Sequence, residues 1–402
     1  MEKPVFTGKF TQQEPIPDAA IAAAVAVMRS GRLHRYNLLP GEEGEVAALE
    51  REFAAFTGAG FALAVASGGY AMGCALRALG VGPGDRVLSN GWTLAPVPGA
   101  IASVGAEPVF VETTDALTID LEDLAQKAKA SGAGVLLLSH MRGHICDMDR
   151  LMDVARAHGL AVIEDCAHTM GAAWRGVPSG RHGVIGCYST QTYKHMNSGE
   201  GGLIVSDDAD IMARAVMLSG SYMLFGRHTA GPPIDRFETV KYDTPNVSGR
   251  MDHLRAAILR PQLAALQGQI ARWNALYRVM EEGLRNSPDL RIIERPPQES
   301  IVGSSFQFLL PGWSDARMRA LVAACAARGV ELKWFGAAEP VAFTSRYDSW
   351  RFAPPQRLPR TDAILAGLVD MRLPLTFCEA DCRLITGIIR DEVMSMAQQA
   401  TG

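Results

Sequence analysis

The sequence lacks the features that mark several classes of protein. No stretch approaches the roughly 18 uncharged apolar residues of a membrane-spanning helix, and there is no low-complexity tract. The formal net charge is only −4, which gives no electrostatic reason to expect nucleic acid or an anionic membrane as a partner. The composition is that of a soluble globular protein with neither of these partners.

Cysteine pairs and metal-binding motifs are also missing. The seven cysteines are odd in number and scattered, and none forms a C-x-x-C pair. This usage fits reduced thiols and argues against a disulfide framework or a zinc cluster. The alanine-rich stretch at 18–31 follows a polar, proline-bearing leader and does not resemble a signal peptide. We therefore expect a cytoplasmic protein without a metal centre.

The sequence does contain a regular alternation of strand and helix patterns between about residues 45 and 210. Nearly continuous apolar strands that alternate with helices indicate an α/β fold, with a mainly parallel sheet covered on both faces. Residues 211–250 are rich in glycine, proline and polar residues, which is typical of a long functional loop. A length of 402 residues predicts two domains. We expect a large domain over 1–255, including the N-terminal segment, and a smaller α+β domain over 256–402.

Three polar segments lie at the carboxyl ends of predicted strands. Ligands bind at this end of the strands in mainly parallel sheets. "ASGGYAM" (66–72) precedes a helix and is either an anion cradle or a plain strand-to-helix turn. "VIEDCAH" (162–168) contains Asp165, which either caps the next helix or faces a cleft. "YSTQTYKHMNSGEGG" (188–202) places Lys194, one of only seven lysines, before a glycine-rich turn.

The three segments together point to one ligand. A lysine in an enclosed site can lose its proton and attack a carbonyl group. The loop at Ser67–Tyr70 suits a phosphate, and Asp165 can pair with a protonated ring nitrogen. Pyridoxal 5'-phosphate has an aldehyde, a phosphate and a ring nitrogen, and its enzymes use a lysine with an acidic partner. We therefore expect pyridoxal 5'-phosphate as the cofactor.

Four longer stretches carry a resemblance to a known family. "GPGDRV", "VGAEPVFVE", "DMDRLMDVARAHGLAVIEDCAHTMGA" and "EGGLIVSDD" resemble the DegT/StrS family of pyridoxal-phosphate-dependent sugar aminotransferases, and the similarity runs from about residue 30 to 258. The resemblance implies a fold-type I transferase with a seven-stranded sheet and a small C-terminal domain. It implies amino transfer from L-glutamate or L-glutamine to a keto-sugar, which is nucleotide-linked, a free sugar acid or a cyclitol. It also implies a ping-pong mechanism and a homodimer with the active site at the interface.

The resemblance assigns a role to each matching residue. Lys194 would bind the cofactor aldehyde and move the reacting proton, Asp165 would keep the ring nitrogen protonated, and His168 would lie near the ring hydroxyl. Trp92 would stack on the ring, unless Leu94 takes that position. The residues expected to bind the cofactor are Gly69, Tyr70, Trp92, Asp165, His168, Ser189, Lys194, Asn246 and Ser248. Candidate substrate contacts are Arg227, His228 and Arg250.

Some positions depart from the family pattern. The family has Asn-Tyr-Arg before its long helix, whereas this chain has Ser248, Gly249 and Arg250, with Asn246 two positions earlier. "LKWFGAAEPVAF" stands in place of the family's His-Tyr-Pro motif. These differences weaken the case for a nucleotide-linked hexose as the substrate.

Three alternative functions stay open at this point. One branch of the family catalyses dehydration and has histidine at the lysine position; here His195 is adjacent, but Lys194 holds the aligned position. A non-catalytic regulator that binds sugar or cofactor has little need for Asp165, His168 and Lys194 together. A fold-type I enzyme that acts on amino acids, such as a desulfurase, would need a cysteine on a mobile loop.

Overall fold

The computed structural model describes residues 3–399. The helices are α1 (Asp18–Ser30), α2 (Glu45–Thr57), α3 (Gly68–Ala78), α4 (Pro96–Ser103), α5 (Leu121–Ser131), α6 (Met148–His158), α7 (Ala209–Ser219), α8 (Ile234–Glu238), α9 (His253–Leu284), α10 (Asp315–Ala327), α11 (Pro359–Gly367) and α12 (Glu379–Gln399). The strands are β1 (Phe61–Val65), β2 (Arg86–Asn90), β3 (Glu107–Val111), β4 (Val135–Ser139), β5 (Ala161–Asp165), β6 (Ala173–Trp174), β7 (Val177–Pro178), β8 (Ile185–Ser189), β9 (Gly202–Ser206), β10 (Arg291–Ile292), β11 (Glu299–Ser300), β12 (Ser305–Leu309), β13 (Lys333–Trp334) and β14 (Leu368–Arg372). Within this range, no helix combines the length and the hydropathy needed to cross a membrane.

The central sheet has seven strands in the order β1-β9-β8-β5-β4-β2-β3. All neighbouring pairs are parallel except those of β9, which runs antiparallel to both β1 and β8. The predicted α/β fold with a mainly parallel seven-stranded sheet is therefore confirmed.

Alternate side chains of the central strands enter two different cores. In β4, Leu136 and Leu138 belong to the core under α2, α5, α6 and α9, whereas Leu137 belongs to the core under α3, α4 and α7. Successive side chains of a strand point to opposite faces, so both faces of this sheet are covered by helices. This arrangement explains why the strands read as continuous apolar runs.

Helix boundaries follow the local sequence. Asp120, Asp147 and Asp208 accept backbone N–H groups in the first turns of α5, α6 and α7. Gly132 and Gly159 end α5 and α6 in the left-handed conformation, which only glycine adopts without a steric cost. Local sequence therefore fixes the connections between strands and helices. The carboxyl ends of the parallel strands lie at the same edge of the sheet.

The C-terminal part has its own antiparallel sheet, β10-β12-β14-β13. The N-terminal segment packs here: Phe6 and Phe10 form edge-to-face contacts with Phe377, and the Phe6 amide donates to the Arg328 carbonyl at 2.9 Å. Phe6 and Phe10 also belong to the core that contains Leu136 and Leu138 of the large sheet, so the expected grouping of this segment stays a prediction. The boundary between residues 255 and 256 stays a prediction, although α9 begins close to it.

The expected loop at 211–250 is only partly irregular. Helix α7 continues to Ser219, a 3₁₀ turn covers Tyr222–Arg227, and the short helix α8 follows. Residues 221–247, which we call the long loop, remain largely irregular around these short helical turns. Its exposed large apolar side chains are Tyr222, Met223, Ile234, Tyr242 and Val247.

Candidate active site

A cavity of about 470 Å³ lies at the carboxyl ends of the central strands. Ser139, Asp165 and Ser189 are the last residues of β4, β5 and β8, and each lines this cavity. Ser67, which follows β1, lines it as well. The three polar segments singled out in the sequence thus meet at one place, which we call the central cavity.

An anion cradle occupies one side of the central cavity. Gly68 and Gly69, in the first turn of α3, line the cavity together with Ser67 and Ser189. A Cβ atom on Gly68 would lie 2.8 Å from Ser189 Cβ, so the close approach of α3 to β8 requires glycine. The first amides of a helix have no partner within the helix and, with its dipole, attract anions. This corner of the cavity therefore suits a phosphate group.

The expected role of Tyr70 in this cradle is not met. Its amide donates to Ser67 Oγ at 3.0 Å as a helix cap, and its hydroxyl donates to the Leu218 carbonyl at 2.9 Å. Tyr70 is absent from the cavity lining, whereas Gly68 is present. The helix N-cap occupies the Tyr70 amide, so Gly68 takes the place that the sequence assigned to Tyr70.

Of the two roles that the sequence left open for Asp165, the structure has the cleft-facing one, because β5 is followed by β6 and not by a helix. Its Oδ1 atom accepts the Ala167 amide at 3.1 Å, which orders the turn after β5. Its Oδ2 atom accepts the Ser139 hydroxyl at 2.9 Å. The carboxylate is 7% exposed and lines the central cavity. It is thus a fixed and desolvated acceptor, suited to a protonated ring nitrogen.

Lys194 and His168 form a close pair in the same cavity. Lys194 Nζ lies 2.8 Å from His168 Nε2, and His168 Nδ1 accepts the Arg142 amide at 3.4 Å. Burial, followed by the positive charge of Arg142, lowers the pKa of Lys194 to about 7. Burial and the neighbouring Lys194 hold the pKa of His168 well below its usual value. A large fraction of the lysine is therefore neutral, and nucleophilic, near pH 7.

His195, the neighbour of Lys194, points elsewhere. Its Nε2 atom contacts Ser304 Oγ at 3.0 Å, and its ring packs edge-to-face on Trp273. Burial lowers the pKa of His195 to about 3. This neutral ring lies outside the lining of the central cavity.

Trp92 is not brought to the central cavity. It is 2% exposed and belongs to a separate core with Phe335 and Leu309, where its ring meets Phe335 edge-to-face at 5.7 Å. Leu94, two residues later, lines the cavity instead. Because the chain turns sharply after β2, the larger aromatic residue fills the core and the smaller residue faces the ligand side.

The residues expected from the long loop and its edge do not line the cavity of their own chain. His228 is buried in a network with Arg35 and Glu50, at 3.3 Å from each partner. Arg227 is exposed, and Asn246 accepts the Tyr222 amide at 2.9 Å. Ser248 is exposed beside Arg250, whose guanidinium donates to the Gly220 carbonyl. Their expected ligand contacts are thus absent within one subunit.

His140, Glu164 and Cys166 lie close enough together to suggest a metal site. Glu164 already accepts the amides of Gly180, His182 and Gly183 and contacts His140 Nε2 at 2.9 Å. Both carboxylate oxygens are therefore engaged, and hydrogen bonding accounts for the cluster.

Several residues of the central cavity were missed from the sequence, and three of them carry charge or an aromatic ring. Arg142 lies in the turn after β4, Arg372 ends β14, and Phe343 lies between β13 and α11. Arg142 forms a buried ion pair with Asp370 at 2.8 Å. An arginine two positions after the apolar run "VLLLSH", and another that ends "LVDMR", were the available signals.

Comparison with known proteins agrees with this geometry. A model of the DegT/DnrJ/EryC1/StrS aminotransferase family matches residues 17–390. L-glutamine:scyllo-inosose aminotransferase of Streptomyces griseus is 34% identical over 63% of this chain, a match that spans 60% of that relative. dTDP-3-amino-3,4,6-trideoxy-alpha-D-glucose transaminase of Streptomyces venezuelae is 34% identical over 72% of this chain and 70% of its own length.

A solved structure extends the similarity to the whole chain. The crystal structure of 3-amino-5-hydroxybenzoic acid synthase is 28% identical and superposes with a TM-score of 0.81, covering 98% of this chain and 100% of that one. The similarity therefore includes the C-terminal part, where the sequence resemblance fades. The chain belongs to the DegT/DnrJ/EryC1/StrS family of aminotransferases, as the sequence motifs predicted.

Proposed function

We propose that this protein binds pyridoxal 5'-phosphate in the central cavity and transfers an amino group from L-glutamate or L-glutamine to a keto-sugar or cyclitol by a ping-pong mechanism. The observation that carries the proposal is the buried Lys194 amine, which shares one cavity with the Asp165 carboxylate and the glycine-lined anion cradle. The named relatives aminate scyllo-inosose or form an amino-sugar linked to dTDP, which supports this acceptor class.

The side chains of the central cavity fit the three polar parts of the cofactor. The Lys194 amine suits its aldehyde, the Asp165 carboxylate its ring nitrogen, and the corner formed by Ser67, Gly68 and Ser189 its phosphate. The close approach of Gly68 to Ser189 is the structural support, because any side chain on Gly68 would fill the cradle. Leu94 supplies an apolar contact for a ring face.

The roles of the protein groups follow from their positions. When bound, pyridoxal phosphate supplies an electron sink for the substrate carbon. Lys194 Nζ moves a proton at that carbon, since its pKa of about 7 lets it both gain and lose a proton near neutrality. His168 holds the amine through its 2.8 Å contact. Asp165, fixed by Ser139, favours the protonated state of the ring nitrogen.

The proposal includes a homodimer with shared active sites. The exposed apolar side chains of the long loop would be covered by a second subunit. Asn246, Ser248 and Arg227 are turned away from their own central cavity and would act at the partner's. Six of the seven free cysteines are buried and unpaired, which is compatible with a cytoplasmic location.

Replacement of Lys194 tests the proposal directly. The wild-type protein should bind pyridoxal phosphate with a visible absorbance that changes on addition of glutamine or glutamate, and borohydride should fix the cofactor to Lys194. Lys194→Ala should lose both properties and at least about 10³-fold in activity, because nucleophile and proton carrier are removed together. Lys129→Ala, an exposed lysine on α5, is the matched control. Fixation of the cofactor in Lys194→Ala would overturn the proposal, and a cofactor spectrum that no amino donor alters would favour the regulator.

A further inference from the structure

The central cavity carries more positive charge than the proposed cofactor uses. Arg142 and Arg372 both line it, on the side that Phe343 closes. Their guanidinium carbons lie 5.2 Å and 4.8 Å from the centre of the Phe343 ring, and Lys333 Nζ lies 4.6 Å from the same centre. One aromatic ring thus gathers three cations. Asp370 is the one buried carboxylate described beside them.

Arg142 is held in position at a conformational cost. It is 6% exposed, and its backbone has φ 55°, in the left-handed region that residues with a side chain rarely adopt. Its guanidinium lies 2.8 Å from Asp370 Oδ2, and Asp370 is fixed by the Gln307 amide at 2.7 Å. The buried Arg142 Nε has no hydrogen-bond partner among residues 3–399. The Arg142 guanidinium, which lines the central cavity, therefore keeps hydrogen-bonding capacity beyond its pairing with Asp370.

Arg372 lacks a carboxylate partner altogether within the described chain. It lies 3.9 Å from the centre of the Tyr193 ring and otherwise faces Phe343. Burial and the charge of Arg142 lower the pKa of Arg372. Lys333 Nζ is also without a hydrogen bond, and its nearest described acid is Glu331 at 3.7 Å. Asp370 is therefore the one buried carboxylate described beside two guanidinium groups and an ammonium group.

Other acids of the cavity do not balance this charge. The lining contains two carboxylates, Asp165 and Glu200. Asp165 is engaged by Ser139 and Ala167, and Glu200 is exposed. The proposed phosphate cradle belongs to α3 and β8. The cationic side of the cavity is thus left for the substrate.

We propose that Arg142 and Arg372 bind a carboxylate attached to the ring of the keto acceptor, so that the acceptor is a keto acid, such as a keto-sugar acid, and not a neutral sugar. This inference rests on the proposed function and specifies its substrate class. The planar guanidinium fork matches a carboxylate in two hydrogen bonds.

The position of Arg142 restricts where the acidic group can lie. The Arg142 amide donates to His168, whose ring contacts Lys194 Nζ at 2.8 Å. Arg142 also contributes to the low pKa of Lys194, which requires the two cations to be near each other. An acid bound here lies within about one sugar ring of the reacting carbon. The diphosphate of a nucleotide-linked sugar would be several bonds further away.

The carboxylate of the amino donor does not account for the whole cluster. In a ping-pong reaction the donor leaves before the acceptor enters, and both use the same cavity. A neutral acceptor would offer the two guanidinium groups only uncharged oxygens in exchange for water, and these form weaker hydrogen bonds than an ionised partner. An acidic acceptor replaces that water with charged hydrogen bonds.

A matched pair of acceptors tests the inference on the amine-loaded holoenzyme, prepared with glutamine. The pair is a hexuronic acid with one ring hydroxyl oxidised to a ketone, and the same keto-sugar with a hydroxymethyl group in place of the carboxylate. We expect a kcat/KM for the acid at least about tenfold above that for the neutral sugar, and Arg372→Gln should reduce this ratio about tenfold or more. Arg319→Gln is the control, because Arg319 also stacks on an aromatic ring, at 5.3 Å from Trp334, but is exposed outside the cavity.

A binding measurement separates this inference from the proposed function. Cyclohexanecarboxylate has no ketone to react, and calorimetric titration of the holoenzyme should detect its binding, weakened about tenfold in Arg372→Gln at unchanged melting temperature. Equal use of the two acceptors by the wild type, or a loss in Arg372→Gln confined to the glutamine half-reaction, would overturn the inference and leave the transaminase intact. Failure of every donor to form the amine-loaded enzyme would instead overturn the proposed function. The titration would still measure whether the cavity binds a carboxylate.

Discussion

Lys194 has a lowered pKa because its amine is buried and lies near a positive charge. Burial is the larger cause of its low pKa and Arg142 is the next, while Asp165 acts in the opposite direction. An amine with a pKa of about 7 is half neutral at that pH, whereas an ordinary lysine is almost wholly protonated. The reactivity of this residue therefore depends on an arginine 52 positions earlier in the chain.

Arg142→Gln should raise the pKa of Lys194. Removal of the positive charge favours the protonated amine, and the released Asp370 carboxylate acts in the same direction. The fraction of Lys194 in the neutral form increases as pH rises. The pH midpoint for pyridoxal phosphate uptake by the apoenzyme should therefore move from near 7 to a higher value in the variant. Burial remains, so the midpoint should stay below the ordinary lysine value. Arg319→Gln should leave it in place, and a midpoint that fell in Arg142→Gln would contradict this account.

Trp92 and Leu94 mark the limit of sequence reasoning at this scale. Both follow β2, and a family resemblance suggests an aromatic ring near the cofactor. Which of two residues faces a cavity depends on the turn between them and on the partners available in the core. The Trp92 ring packs edge-to-face on Phe335 from the C-terminal part. No local sequence pattern predicts that contact. By contrast, Asp165 and Lys194 could be predicted because a strand end fixes their position.

At the scale of elements, Glu164 joins β5 to the segment that leads into β8. Its two carboxylate oxygens accept the backbone amides of Gly180, His182 and Gly183 from this segment. One of them also contacts His140 Nε2. Burial would raise the pKa of this acid, yet these hydrogen bonds hold it below the ordinary value. The residue next to it, Asp165, faces the central cavity, so the same strand end is fixed on one side and functional on the other.

Glu164→Gln should lower the free energy of unfolding by about 3 kcal/mol, since a buried charged acceptor is lost and amide hydrogens then face backbone donors. Urea denaturation monitored by tryptophan fluorescence measures the change. Glu122→Gln, in the exposed first turn of α5, should cost under about 0.5 kcal/mol. A loss below about 1 kcal/mol in Glu164→Gln would show that the loop is held by other contacts.

Most helices and strands could be predicted from the sequence, but the pairing of the strands could be predicted only in part. The alternation of apolar strands and helices correctly indicated the parallel sheet, because each strand is buried on both faces. The pairing of β1 with β9, antiparallel and distant in sequence, was not visible. The small sheet of β11, β6 and β7 was not visible either, because strands of two residues are too short to show an alternating hydrophobic pattern. Short elements are defined by tertiary contacts, which a local pattern does not contain.

At the scale of the whole molecule, the central cavity is completed by distant parts of the chain. Asp165 ends β5 of the central sheet and Lys194 lies between β8 and β9, whereas Arg372 comes from β14 of the C-terminal sheet. The two arginines of the cationic side are separated by 230 positions in the sequence. Only the packing of the two sheets brings them to one aromatic ring. Lys194, Asp165 and His168 could therefore be placed in the cavity from motifs, whereas Arg142 and Arg372 could not.

The long loop is attached firmly at its base and exposed at its surface. His228 contacts Arg35 and Glu50, a buried ion pair with 2.9 Å contacts, and its Nδ1 lies 3.2 Å from the Tyr36 hydroxyl. Arg35 lowers the pKa of Glu50 to about 2 despite its burial, so this anchor stays charged at neutral pH. Asn246 and Arg227 are exposed on the same loop, away from their own central cavity. A rigidly anchored loop with outward polar groups suits a role in a second subunit.

Mixing of two inactive dimers tests that arrangement. Lys194→Ala lacks the reactive amine, and the double variant Arg227→Ala, Asn246→Ala lacks the loop groups, so each homodimer should have little activity. After dissociation and random reassociation, half of the dimers are hybrids, and each hybrid has one site with Lys194 and an intact partner loop. Activity should therefore recover to about a quarter of the wild-type value, as expected for a two-fold symmetric assembly. Sedimentation should find dimers before and after mixing. If hybrids form without recovery, the long loop does not complete the partner's active site, because a loop acting on its own subunit leaves both sites of every hybrid defective.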